Sequence, residues 1–122
     1  MTGGSDLKKE NYELNQNTKW ISFDNLIMNN EEKRIYLNER SVKLENYEYN
    51  TLIFFLDNPD RMLTVQEIYE NVWHTFFLYS SFTTVLRTVI HLQRKIEGDP
   101  ENHRHLKILW QKGFIFQTEH RE

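Results

Sequence analysis

Arg87, His91 and Arg94 stand four and three residues apart, which sets them on one side of an α-helix that turns about 100° per residue. Ser80, Thr83 and Thr84 join that side from the helix start, and Val85, Val89, Leu92 and Ile96 fall together opposite it. Such a helix buries its aliphatic stripe and turns a basic, hydroxyl-bearing stripe outward. The outward chemistry suits a nucleic acid. A guanidinium grips phosphate or guanine through two hydrogen bonds, and Ser, Thr and His bond phosphates or base edges. Thr88 and Lys95 on the same helix extend the set of expected DNA contacts. Periodicity alone leaves a plainer reading open, because any amphipathic surface helix presents charges to water.

A second basic position is Lys112, beside Gly113. Glycine can supply the positive φ of a tight turn, so Lys112 is expected at a hairpin tip, within reach of a backbone phosphate or the minor groove. No other constellation has catalytic spacing. The chain lacks a Gly-rich phosphate loop, a nucleophile elbow and deliberately paired carboxylates, so it does not read as an enzyme and no cofactor is expected. His103 and His105 could share a strand face, but structural zinc takes three or four ligands, usually with Cys, and no third ligand is suitably spaced.

The chain has 122 residues, 39% of them hydrophobic and 14% aromatic, with two prolines, which fits one globular domain whose core is rich in rings. A net charge of -3 as a total opposes nucleic-acid binding, yet the charge is unevenly placed. Residues 1–79 hold eight Lys or Arg against thirteen Asp or Glu, whereas residues 80–113 hold six against three. The positive part therefore coincides with the basic helix and the hairpin. There is no cysteine, hence no disulfide framework, and a reducing cytoplasm is permitted. No segment has the pattern of a signal peptide, and no apolar run nears the roughly 20 residues of a membrane span.

These side chains must be positioned by a recognisable series of elements. Residues 1–18 are polar and aperiodic and read as a flexible arm, residues 19–118 as the domain, and 119–122 as a tail. Ile21 and Phe23, Leu26 and Met28, Ile35 and Leu37, and Val42 and Leu44 alternate, broken at Asp24-Asn25 and Asn29-Asn30, which predicts a small antiparallel sheet. Tyr49, Leu52, Ile53 and Leu56 predict a helix ending at Asn58-Pro59. Thr64-Val65-Gln66-Glu67 is a capping box opening a second helix, with Ile68, Tyr69, Val72 and Trp73 on its buried side. The third helix runs from Ser80 or Ser81 as N-cap to Glu97, with Gly98 as its stop and Pro100 beyond. Leu106, Ile108 and Trp110, then Phe114 and Phe116, alternate about a turn at Gln111-Lys112-Gly113 and predict a C-terminal β-hairpin. The fold expected is α+β: a winged helix-turn-helix with an N-terminal antiparallel β-sheet, three helices and a C-terminal β-hairpin wing.

Over residues 19–117 the chain resembles the OmpR/PhoB-type transcriptional-regulator domain. The similarity is carried by Leu44, Glu48, Tyr49, Leu52, Leu56, Asn58-Pro59, Arg61, Leu63, Thr64, Glu67 and Val72-Trp73, and then by Thr84-Val85, Val89, Leu92, Arg94-Lys95-Ile96-Glu97, Asp99-Pro100, Lys107, Leu109, Gly113-Phe114 and Phe116. The resemblance implies binding to double-stranded promoter DNA as a homodimer or tandem copies. It also implies contact with RNA polymerase through the loop between the second and third helices. Leu86, Arg87 and Thr88 stand where the family usually has an acidic, an aliphatic and a histidine residue, and Ile90 replaces a polar one, so any base code is the chain's own. The arrangement of a short arm followed at once by the domain is similar to ToxR-like regulators, which implies a cytoplasmic head tethered to the inner membrane, with a co-regulator in the membrane as a further partner.

Two apolar features invite alternatives. Phe76-Phe77-Leu78-Tyr79 lies in the expected loop, and either its rings pack under the loop or they form a partner contact for polymerase or a second copy. Leu86 and Ile90 are read as an extension of the buried stripe; exposed instead, they would favour protein partners. The acidic total and the aromatic loop leave room for a degenerate winged helix that acts in protein-protein interaction without DNA binding.

Overall fold

The structure is a computed structural model and describes residues 20–23, 26–37, 40–97, 105–109 and 111–117. The expected arm, the Asp24-Asn25 turn, Gly98, Pro100, His103, Trp110 and the tail lie outside the described residues. The chain folds as two compact units, which divide between Glu45 and Asn46.

The first unit is a four-stranded antiparallel meander of β1 (Trp20–Phe23), β2 (Leu26–Asn29), β3 (Arg34–Leu37) and β4 (Arg40–Lys43). Strand alternation lines up Ile21, Met28, Ile35 and Val42 as successive cross-strand partners on one face. Ile21, Met28 and Ile35 are buried, and Val42 on the edge strand is half-buried. Trp20 and Tyr36 meet on the other face, with ring centroids 5.8 Å apart. The β2–β3 turn is closed by Asn29, whose side-chain oxygen accepts from the Glu31 and Glu32 amides at 3.0 and 2.8 Å, while Lys33 takes a left-handed φ of 56°. Leu44, expected to pair with Val42, lies just past β4 and is buried.

The second unit begins with α1 (Asn46–Asp57), which buries Tyr49, Leu52 and Leu56 as expected and also Phe55, Glu48 and Thr51. Ile53, placed on the apolar stripe by the sequence, is half-buried. Burial pushes the Tyr49 phenol up to about 12. At the end of α1 the Asn58 side chain donates to the Phe54 carbonyl at 2.9 Å, and Pro59 prevents another turn. The capping box forms as predicted: the Thr64 hydroxyl accepts from the Glu67 amide at 3.0 Å, and the Glu67 carboxylate accepts from the Thr64 amide at 2.9 Å. It opens α2 (Val65–Ile68), which widens at once into a π-helical segment (Tyr69–Trp73) that ends at left-handed His74. Periodicity gave no sign of this widening. It carries Trp73 into a column of rings, stacked on Tyr69 at 5.2 Å and on Tyr47 at 4.6 Å.

After a loop comes α3 (Ser81–Glu97), and then the hairpin of β5 (Leu106–Leu109) and β6 (Gly113–Phe116). The hairpin is stitched to the segment between α1 and α2. Leu63 and Phe114 exchange main-chain hydrogen bonds of 2.7 and 2.9 Å, and the Asp60 amide donates to the Phe116 carbonyl at 2.9 Å. Phe114 and Phe116 are buried, and Phe116 meets Phe55 of α1 at 6.2 Å.

Gly113 was expected to shape the hairpin turn. The left-handed residue there is Gln111, with φ 69°, and Gly113 serves the Leu63 bridge instead. Its φ is 144°, and a Cβ at this position would lie 2.3 Å from the Leu63 carbonyl oxygen. Gly113→Ala is expected to destabilise the protein by about 2–4 kcal/mol, through backbone strain and an overlap with main chain that cannot yield. Gln111→Gly relieves a left-handed residue and should leave stability unchanged or raise it by up to about 1 kcal/mol. Chemical denaturation of the two variants measures both signs.

Candidate nucleic-acid interface

The buried side of α3 is the expected stripe of Val85, Val89, Leu92 and Ile96, none more than 6% exposed. Ser80, Thr83, Thr84, Arg87, His91 and Arg94 are exposed, the last three on the side opposite the stripe. Among the described residues, Arg87, His91 and Arg94 make no hydrogen bond or ion pair, which leaves their donors facing water. Thr88 is half-buried and its hydroxyl donates to the Thr84 carbonyl at 2.9 Å, a back-bond within the helix.

Lys95 belongs to a different contact. Its ammonium lies 2.7 Å from the Glu48 carboxylate of α1, and the two side chains are 31% and 6% exposed. The burial of Glu48 makes this pair an anchor between α1 and α3, whose rupture takes the ammonium away from a buried carboxylate. The sequence placed Lys95 among DNA contacts because a helical wheel sees only its own helix. The carboxylate partner of the ammonium lies 47 residues earlier.

Two further polar side chains of α3, absent from the expected set, fix the wing. Gln93, buried, donates to the Leu106 carbonyl at 2.8 Å, and Glu97 accepts from the His105 and Leu106 amides at 3.0 and 2.9 Å. One turn of helix thus grips both main-chain polar groups of Leu106. His105, far from being a solvent-facing ligand, is buried and stacked on Phe116 at 5.3 Å. The i,i+4 spacing of Gln93 and Glu97 was the available signal, but polar residues at such spacing ordinarily read as a solvated flank.

Lys112 is exposed at the hairpin tip, as expected, and its amide donates to the Leu109 carbonyl at 2.9 Å. Between the tip and α3 runs an apolar cleft of ≈ 320 Å³, lined by Phe82, Leu86, Ile108, Leu109 and Lys112. Leu86 and Ile90, expected in the core, are both half-buried. The loop rings are mostly uncovered. Phe76 is 83% exposed, Leu78 62% and Tyr79 96%; only Phe77 is half-buried, edge-on to Tyr69 at 6.0 Å. Ser81, one of the two expected N-caps, turns its hydroxyl back to accept from the Leu78 amide at 3.0 Å and so ties this loop to the helix start.

A four-stranded sheet, three helices and a closing hairpin that flanks the third helix define a winged helix-turn-helix protein. Residues 39–116 match the family described as "Transcriptional regulatory protein, C terminal", and the chain belongs to that family. It is 31% identical over 91 residues to the uncharacterized transcriptional regulatory protein YrkP of Bacillus subtilis, an alignment that covers 75% of this chain and 39% of that protein. Among solved structures it is similar to the DNA-binding domain of E. coli CadC, with a TM-score of 0.66 at 18% identity, covering 83% of this chain and 88% of that one. It is also similar to the Klebsiella pneumoniae RstA DNA-binding domain in complex with the RstA box, with a TM-score of 0.70 at 17% identity over 84% of this chain and all of that one. The two structural likenesses concern the fold.

Lys95→Ala is expected to cost about 2–3 kcal/mol, somewhat below the range for fully buried pairs because Lys95 keeps one side in water. Arg94→Ala, one residue away, should cost less than about 0.5 kcal/mol. Equal losses in thermal or chemical denaturation would refute this division of the two cations.

Proposed function

We propose that the chain is the DNA-binding part of a transcription regulator, with α3 entering the major groove of promoter duplex and the wing resting on the backbone or minor groove. The observation that carries this reading is the set of Arg87, His91 and Arg94, exposed together opposite the buried stripe of α3, on a helix whose own side chains hold the wing. Family membership supports it, as does the complex of the RstA domain with its box. Ser80, Thr83 and Thr84 supply further hydroxyls to phosphates or bases, and Thr88 at most its methyl or acceptor side. Two to four cations per copy neutralise few phosphates, so one copy binds weakly, and a homodimer or tandem copies supply the rest of the affinity.

The uncovered Phe76, Leu78 and Tyr79 support a protein contact at the loop before α3, with RNA polymerase or a second copy as the partner. The same rings favour the second reading, a winged helix devoted to protein interaction. The RNA polymerase contact and a membrane tether with a co-regulator there come from the resemblance alone; among the described residues no helix is long and apolar enough to cross a membrane.

Gel shifts over a salt series separate the readings. Duplex promoter DNA should bind at low salt, with affinity that falls steeply as salt rises. If it does not bind even when the domain is fused to a dimerising segment, the interaction reading replaces this one. Arg87→Ala and Arg94→Ala should each cost about 1–3 kcal/mol of binding with little change in stability. Lys112→Ala should weaken binding to all sequences about equally and lower the salt slope by about one unit, without a change in preferred bases.

A further inference from the structure

Ile90 lies one turn after Leu86 and one turn before Arg94, and the two aliphatic residues are equally half-buried. Their surroundings differ. Leu86 lines the cleft whose far wall is Ile108 and Leu109 of the wing, so its uncovered flank already faces apolar atoms. Ile90 sits farther round the helix. At about 100° per residue it falls roughly 20° from Thr83, 40° from Arg94 and 60° from Arg87, all on one flank, with Leu86 about 40° away on the other, so it borders the basic arc and stands apart from the Val85/Val89/Leu92/Ile96 stripe. Thr83, Arg87 and Arg94 on that flank are all exposed.

An aliphatic side chain at the border of a cationic arc contributes nothing to phosphate binding, and its uncovered part on the Arg94 flank meets what the arc meets. In a major groove the one methyl group that the bases offer is the C5-methyl of thymine, among edges otherwise dominated by hydrogen-bond donors and acceptors. We propose that Ile90 is a specificity-determining residue that packs against a thymine methyl, at a base step between those approached by Arg87 and Arg94. This rests on the reading of α3 as the helix in the major groove. Ile90 thereby favours a T·A or A·T pair at that step and disfavours G·C, whose edge would leave the aliphatic group against polar atoms.

The test uses duplexes enriched from a random pool by the protein, with each thymine then replaced singly by deoxyuridine, which lacks only the methyl group. The wild-type protein should lose about fourfold in affinity at one or two positions, the worth of a single buried methyl, and be indifferent elsewhere. Ile90→Ala should lose that sensitivity while the salt slope stays the same, since no phosphate contact is removed. Binding that is insensitive to every deoxyuridine overturns the proposal without reference to any variant, as does an Ile90→Ala protein that keeps the wild-type sensitivity. Failure to enrich any duplex at low salt overturns the DNA-binding reading itself and is thereby a distinct outcome.

Discussion

The main chains of Leu63 and Phe114 exchange two hydrogen bonds across a gap in which a side chain at position 113 would collide with a carbonyl oxygen. Much of the second unit depends on that closeness. Leu63 directly precedes Thr64, the cap of α2, so the bridge fixes where α2 begins at the same time as it fixes where β6 lies. The Asp60 amide and the Arg61 guanidinium extend the join, the former to the Phe116 carbonyl and the latter to Glu67 at 2.7 Å. A hairpin of two four-residue strands is marginal by itself in water, and here it is made stable by pairing with a third piece of chain and by burying Phe114 and Phe116.

α3 is held on three sides by different forces. The aliphatic stripe supplies the bulk of the burial, at about 1.5–3 kcal/mol for each fully covered side chain. On one flank the Lys95–Glu48 pair sets α3 against α1, and on the other Gln93 and Glu97 set it against the wing. Only the remaining side, with Arg87, His91 and Arg94, is left to the solvent. Its net positive charge therefore survives in a chain that is acidic in total, because the third cation of the helix is neutralised inside the fold while the others are not.

The parts of this arrangement governed by short-range rules were readable in the residues. Thr64 and Glu67 marked the start of α2, Asn58-Pro59 the end of α1, and the four aliphatic residues of α3 its orientation. What escaped depends on residues distant in sequence. Glu48 and Gln93 are polar, and polarity reads as exposure unless the partner is known. Lys95 reads as a surface cation for the same reason. The π-helical segment arises where Tyr69, Trp73 and Tyr47 stack, two of them on one helix and one on another. Gln111 takes the left-handed turn position because the neighbouring glycine is needed at Leu63, a competition between two sites that no local pattern records. The exposure of Phe76, Leu78 and Tyr79 runs against the tendency of large apolar side chains to be covered, and nothing local in the sequence decides between the covered and uncovered outcomes.

Gln93 and Glu97 hold the wing by peptide groups, the amides of His105 and Leu106 and the carbonyl of Leu106. Peptide groups are the same whatever side chains they carry. The angle between the helix and the hairpin thus depends little on the hairpin's outward residues, and Lys107 or Lys112 can be exchanged without loosening the frame that presents them. The same independence holds in reverse, since Arg87, Ile90 and Arg94 take no part in the grip. If the two surfaces act on one target, as proposed, they are in this way free to diversify separately, and a lineage can retune that target one surface at a time without passing through an unfolded intermediate.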